Sequence, residues 1–123
     1  MLRAPCEELV RYVLPALRGA LVTFMYAEKR MRQVDIARLV GISQSAVSRY
    51  INMERGLYRR MVDELPEMRS LLEGAVAKLE KGENLSICDL CREMRDRGLL
   101  DRAMEIVRGG KLGGAALSQK FGC

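Results

Sequence analysis

The sequence predicts an all-α protein: a compact helical domain that contains a helix-turn-helix, with a helical C-terminal extension. Apolar residues recur three and four positions apart along most of the chain, as they do on one face of an α-helix. The composition is 49% hydrophobic and 30% charged with few aromatic residues, which is typical of an ordered helical protein. Since the chain has 123 residues, we expect one compact unit with a single core.

The first two predicted helices are separated by a proline. A helix is expected from Pro5 to about Val13, because Glu7 and Glu8 suit a first turn and apolar residues follow at helical spacing. Pro15 disfavours continuation of that helix but is well tolerated at a helix start, so a second helix is expected from Pro15 to about Lys29. Its apolar stripe consists of Leu17, Leu21, Phe24 and Met25.

Two short helices follow, joined by a tight turn. The first is expected over Gln33–Val40 and ends at Gly41, a residue that readily adopts a left-handed conformation. Ser43 is a good N-cap for the second, which is expected from Gln44 to about Met53 and to stop at Gly56. We therefore expect residues 1–56 to form the helix-turn-helix region.

Residues 57–123 are predicted to form a helical C-terminal region. Pro66 and Gly82 bound a helix over Pro66–Lys81. Ser86 caps the next helix, which extends to Arg97 and stops at Gly98, and Leu99–Arg108 forms a last helix. The glycine-rich tail Gly109–Cys123 is expected to be mobile.

The helix-turn-helix prediction depends on the residue types at its constrained positions. Two helices that cross steeply need a small residue at the crossing, which Ala37 supplies, and a turn residue free of steric strain, which Gly41 supplies. Apolar side chains must fill the space between the helices, and they are present at Ile36, Val40, Ile42, Val47 and Ile51. The alternative is a helix pair that only packs in a core and binds no DNA.

The outer face of the second helix carries side chains that suit duplex DNA. With the core face assigned as above, the outward residues can reach base edges and phosphates. A glutamine at position 44 favours adenine, whereas Arg49 suits guanine or a phosphate. The chain has a net charge of +5 and a pI near 9.3, which favours a polyanionic partner. The candidate DNA-binding residues are Gln33, Ser43, Gln44, Ser45, Ser48, Arg49 and Asn52.

The string Gly41-Ile42-Ser43-Gln44-Ser45-Ala46-Val47-Ser48 resembles the helix-turn-helix of the Cro and phage-repressor type. The longer stretch from Pro5-Cys6-Glu7 through Arg55-Gly56, followed by Ile87-Cys88-Asp89-Leu90-Cys91-Arg92, resembles a group of archaeal transcriptional regulators with that motif. The resemblance implies a Cro-like motif and sequence-specific DNA binding. The sequence departs from the pattern at Arg32, where a Ser or Thr cap is expected, and this leaves the start of the first motif helix open.

Four cysteines and no histidine define a second candidate site. Cys88 and Cys91 form a C-x-x-C at a helix start, where the positive end of the helix favours thiolates. Cys6 and Cys123 could complete a four-thiolate site for zinc or an iron-sulfur cluster. The alternatives are a dithiol switch or disulfide, and inert packed thiols. A thioredoxin-type role lacks the βαβ context that it requires.

These features together predict a sequence-specific transcriptional regulator, in which the metal, cluster or redox state of the cysteines could modulate DNA binding. One helix-turn-helix reads only a few base pairs, so we expect a homodimer on a two-fold operator, joined through the helices after Gly56.

Without histidine or another catalytic constellation, we do not expect an enzyme. Acidic residues in Met1–Arg11 and the lack of a long apolar run lead us to expect a cytoplasmic protein that does not bind membranes. The rival hypothesis is a thiol- or metal-dependent protein-interaction module that binds no DNA.

Overall fold

The computed structural model describes Glu7 and residues 9–107, apart from the side chains of residues 9, 10 and 53–56. A π-helical turn, Leu9–Val13, leads into α1, Leu14–Ala27. The helices that follow are α2, Gln33–Val40; α3, Gln44–Glu64; α4, Pro66–Glu80; α5, Ile87–Asp96; and α6, Leu100–Val107. Every element in this part of the chain is helical, which confirms the all-α prediction. The expected helix start at Pro5 and the glycine-rich tail lie outside the described residues.

Helix α1 is the central helix of the fold. It contacts α2, α3, α4 and α5, and ten of its 14 residues are buried. The predicted stripe is buried, but so are Val22 and Thr23, which lie on other sides of the helix. Because α1 is surrounded by other helices, it has little room for a polar face. One hydrophobic cluster extends from Val13 to Ile106, so both halves of the chain share a single core.

The boundary predicted near Pro15 is present, but as a change from a π-helical turn to an α-helix without a gap between them. Val13, the residue that caps α1, is itself helical, and the proline lies in the first turn of α1. Proline lacks an amide hydrogen and its ring crowds the preceding turn, so a regular α-helix cannot pass through it undisturbed. The wider π-helical turn Leu9–Val13 lies directly before the proline, where this disturbance is expected.

The predicted helix end near Gly56 is wrong, because α3 has 21 residues in all and ends at Glu64. Tyr58, Met61 and Val62 are buried in the core, and the Tyr58 hydroxyl donates a hydrogen bond to Glu28 at the end of α1 (3.4 Å). A glycine in a helix costs only about 1 kcal/mol, which burial of these side chains outweighs. The predicted division of the chain at residue 56 therefore falls inside α3.

The remaining helices agree with the prediction to within about two residues. Ser86 caps α5 in a reciprocal capping box: its hydroxyl accepts the Asp89 amide (3.2 Å), and the Asp89 carboxylate accepts the Ser86 amide (2.9 Å). The Arg97 guanidinium at the end of α5 contacts the Glu67 carbonyl at the start of α4 (3.5 Å). None of the described helices is both long enough and apolar enough to cross a membrane.

Candidate nucleic-acid interface

A tight left-handed turn joins α2 to α3. Gly41 has φ +79° and ψ +34°, and its amide donates to the Ala37 carbonyl (2.9 Å). The next amide, of Ile42, donates to the same carbonyl (3.1 Å), which reverses the chain within two residues. Ile36, Ala37, Val47 and Ile51 are buried as predicted, whereas Val40 and Ile42 are half-buried. The turn predicted from the residue types is therefore present.

Both motif helices begin where the sequence predicts. Ser43 is extended (φ −74°, ψ 157°), and its hydroxyl accepts the Ala46 amide at 3.1 Å, so this side chain stabilises the start of α3. Arg32 is also extended and offers no side-chain cap to α2. The missing cap does not shift the start of α2, because Asp35 supplies negative charge in the first turn.

Asp35 holds two arginines at the start of α2. Its carboxylate accepts hydrogen bonds from Arg32 Nε (3.0 Å) and Arg38 Nη2 (2.6 Å). The hydrogen bond from Arg32 is the largest of the effects that lower the pKa of Asp35. Both guanidiniums are more than three-quarters exposed, so they remain accessible to a further anion.

The structure brings four of the predicted DNA-binding residues together. Gln33 at the start of α2 and Gln44, Ser45 and Ser48 on α3 line one shallow surface depression. Arg49 and Asn52 are exposed on α3 outside the depression. Arg49 lies five residues, or about 140° around the helix, from Gln44. We call these residues, with the N-cap Ser43, the polar face.

Positive charge is concentrated in the segment of the chain that carries the polar face. Residues 29–52 carry five basic side chains and one acidic side chain, a net charge of +4. Residues 53–107 carry ten basic and twelve acidic side chains, a net charge of −2. The basic residues that the site prediction missed are Lys29, Arg30, Arg32 and Arg38, all of them exposed. A count of charge along the chain could have identified them.

The cysteine pair has a different environment from the one expected. Cys88 is exposed and Cys91 is buried, and both are free thiols. Burial raises the pKa of the Cys91 thiol, and the nearby Cys88 raises it further. The expectation that the helix start favours a thiolate is therefore wrong for Cys91, because desolvation in the core opposes the charge.

The described residues do not by themselves form a metal site. Within that part of the chain, no group of three or more His, Cys, Asp or Glu side chains is placed to hold an ion. Of the four predicted ligands, Cys6 and Cys123 lie outside the described residues. The four-thiolate site stays a prediction.

Comparison of the chain with protein-family models, with curated proteins and with solved structures finds no match.

Proposed function

We propose that this protein binds duplex DNA, with α3 in the major groove and the polar face against the base edges. The observation that carries the proposal is the depression lined by Gln33, Gln44, Ser45 and Ser48, at the start of two helices joined by a left-handed glycine turn. The starts of both helices present hydrogen-bonding side chains at one surface. An α-helix fits the major groove of B-form DNA, and short polar side chains on its first turns can then reach the bases.

The proposal assigns different roles to the side chains of this surface. Gln44 is exposed in the first turn of α3 and suits adenine, to which an amide side chain can donate and accept. Arg49, one turn further along α3, suits guanine or a phosphate. Arg32 and Arg38 suit phosphates, because Asp35 already orients both guanidiniums and leaves them exposed. The charge of +4 around the motif favours such contacts.

We further propose that the protein regulates transcription as a homodimer on a two-fold operator, since one motif reads too few base pairs for a specific site. Among the described residues, the large hydrophobic side chains that are exposed are Tyr26 and Val34, neither of which belongs to α4, α5 or α6. A dimer contact made by those three helices would therefore be mainly polar. Sedimentation of the full chain at several concentrations, with and without a selected duplex, tests the stoichiometry.

DNA binding is tested by fluorescence anisotropy with duplexes enriched from a random pool. We expect the logarithm of the binding constant to fall linearly with the logarithm of salt concentration, because each phosphate contact releases counterions. Gln44→Ala should weaken binding to the preferred duplex by about 1–3 kcal/mol and relax specificity at one position. Lack of binding to any duplex at low salt would contradict the proposal and favour the protein-interaction module instead.

The matched control for the interface is Arg59→Ala. Arg59 is exposed on the same helix as Arg49, but ten residues beyond it. At one fixed salt concentration, Arg49→Ala should weaken binding and Arg59→Ala should leave it unchanged. Wild-type affinity in both Gln44→Ala and Arg49→Ala would show that the polar face is not the binding surface.

A further inference from the structure

A partly enclosed cavity of about 550 Å³ lies between the helix-turn-helix and the C-terminal helices. It is lined by residues of α1, α2, α3, α4 and α5 and of the turn and loop between them, so it belongs to the junction of the fold. Sites for small organic ligands commonly have volumes of about 300–1,000 Å³. We call this space the junction cavity.

The junction cavity is where much of the incompletely buried apolar surface is found. Of the eleven partly buried hydrophobic residues that pack on the core of the described chain, seven line this cavity. Val40 and Ile42 are among them, which explains why these two predicted core residues are only half-buried. The seven are Leu39, Val40, Ile42, Tyr50, Leu79, Leu85 and Ile87. Most of the residues that line the cavity are therefore aliphatic.

The charges that line the junction cavity are of one sign. Arg18 of α1 and Arg49 of α3 are both lining residues, and no carboxylate is among the residues that line it. Neither guanidinium forms an ion pair or a hydrogen bond with another described residue. Elsewhere in the described chain, arginines such as Arg60, Arg92 and Arg97 pair with a carboxylate three or four residues away. Two unpaired guanidiniums beside an aliphatic wall are complementary to one anionic group that carries an aliphatic chain.

We propose that the junction cavity binds a small amphipathic carboxylate, with its aliphatic chain on the leucine and isoleucine wall and its carboxylate between Arg18 and Arg49. Tyr50 also lines the cavity, and a tyrosine hydroxyl is a donor that suits a carboxylate. The Ser86 hydroxyl already accepts the Asp89 amide in the capping box and is not needed for the site.

A consequence for regulation rests on the proposed function. Arg49 belongs both to the junction cavity and to the polar face, so a carboxylate bound in the cavity would neutralise a guanidinium that the proposed function assigns to DNA. Occupancy of the cavity should therefore weaken DNA binding. By linkage, DNA should weaken carboxylate binding by the same factor.

The direct test uses decanoate as the probe and contains no DNA, so its outcome does not depend on the proposed function. Calorimetry on the full chain should detect saturable binding of decanoate, whereas 1-decanol, with the chain alone, and acetate, with the charge alone, should bind at least about tenfold more weakly. No heat at about 1 mM decanoate, or equal affinity for 1-decanol, would overturn the proposal.

The site is identified by arginine variants whose folding is checked by urea unfolding. Arg18→Gln and Arg49→Gln should each weaken decanoate binding about tenfold, and Arg49→Lys should retain more affinity than Arg49→Gln. Arg59→Gln, an exposed arginine of α3 outside the cavity, is the matched control and should bind like the wild type. Undiminished binding by a folded variant with both Arg18→Gln and Arg49→Gln would refute the site.

Competition is measured last, with a duplex that the wild type binds at constant ionic strength. Saturating decanoate should raise the Kd for DNA in the wild type and have no effect on the Kd of Arg49→Gln. A protein that binds decanoate but no DNA would refute the proposed function and leave the carboxylate site standing. Unchanged DNA affinity in saturating decanoate would refute the coupling alone.

Discussion

Substitution of Gly41 by alanine isolates the backbone strain of the turn between α2 and α3. Gly41 has φ +79°, a conformation that L-residues with a side chain rarely adopt. A Cβ atom built at this position meets no other atom within 4 Å, so a methyl group would cause no steric clash. The expected cost is that of a left-handed residue alone, about 1–2 kcal/mol.

Gly74 provides a control with the opposite expected sign. It lies within α4, its φ is not positive, and a Cβ atom there also meets nothing within 4 Å. Gly74→Ala should stabilise the protein by about 0.5–1 kcal/mol, because alanine loses less conformational freedom in a helix. The two substitutions add the same methyl group to free space and differ in backbone conformation.

Urea unfolding followed by circular dichroism at 222 nm measures both effects. With a slope of about 1.5 kcal/mol per molar urea, the midpoint should fall by about 1 M for Gly41→Ala and rise by about 0.5 M for Gly74→Ala. Gly41→Asn should lie between wild type and Gly41→Ala, since asparagine tolerates the left-handed region better. A raised midpoint in Gly41→Ala would refute the left-handed turn, and a lowered one in Gly74→Ala would refute the control.

Five further substitutions test the core, a helix cap and the cysteines. Ala37→Leu should destabilise the protein by about 1–3 kcal/mol through overpacking, because Ala37 is 9% exposed; an unchanged urea midpoint would place it on the surface. Thr23→Val should raise the free energy of unfolding by about 1 kcal/mol, because the buried Thr23 hydroxyl has no hydrogen-bond partner among the described residues; a loss of stability would show that it has one. The backbone amide of Ser86 donates a hydrogen bond to the Asp89 carboxylate and so lowers the pKa of Asp89. This bond stabilises the fold fully at pH values above the pKa of Asp89 in the unfolded state. The stabilisation is lost as the pH falls through the lower pKa of the folded state. The urea midpoint of Asp89→Asn should therefore lie below that of wild type at neutral pH, and the gap should shrink below about pH 4. If the thiols only pack in the fold, Cys91→Ser should lower the free energy of unfolding by about 1–3 kcal/mol and Cys88→Ser should leave it almost unchanged. A metal site predicts instead that anaerobically prepared wild type contains bound metal and that both variants lose it.

The helix boundaries that the sequence predicted well depend on interactions between near neighbours in the chain. Ser43 and Ser86 cap helices by accepting amides three residues ahead, and Gly41, Gly82 and Gly98 all adopt positive φ after a helix. Such features need no partner from elsewhere in the chain, so residue type and spacing are sufficient to locate them. The outward direction of the polar face followed in the same way from the helical period.

Contacts between residues far apart in the chain decided the rest. Helix α3 continues through Gly56 because Tyr58 and the residues after it pack on the core and reach Glu28, thirty residues earlier. The Cys91 thiol has a raised pKa because α5 turns it into that core, which its position at a helix start does not reveal. Arg18 and Arg49 are 31 positions apart in the sequence, and only the packing of α1 against α3 brings them to one cavity. Local patterns determine where helices begin and end, whereas burial and the pairing of charges depend on which helices the core brings together.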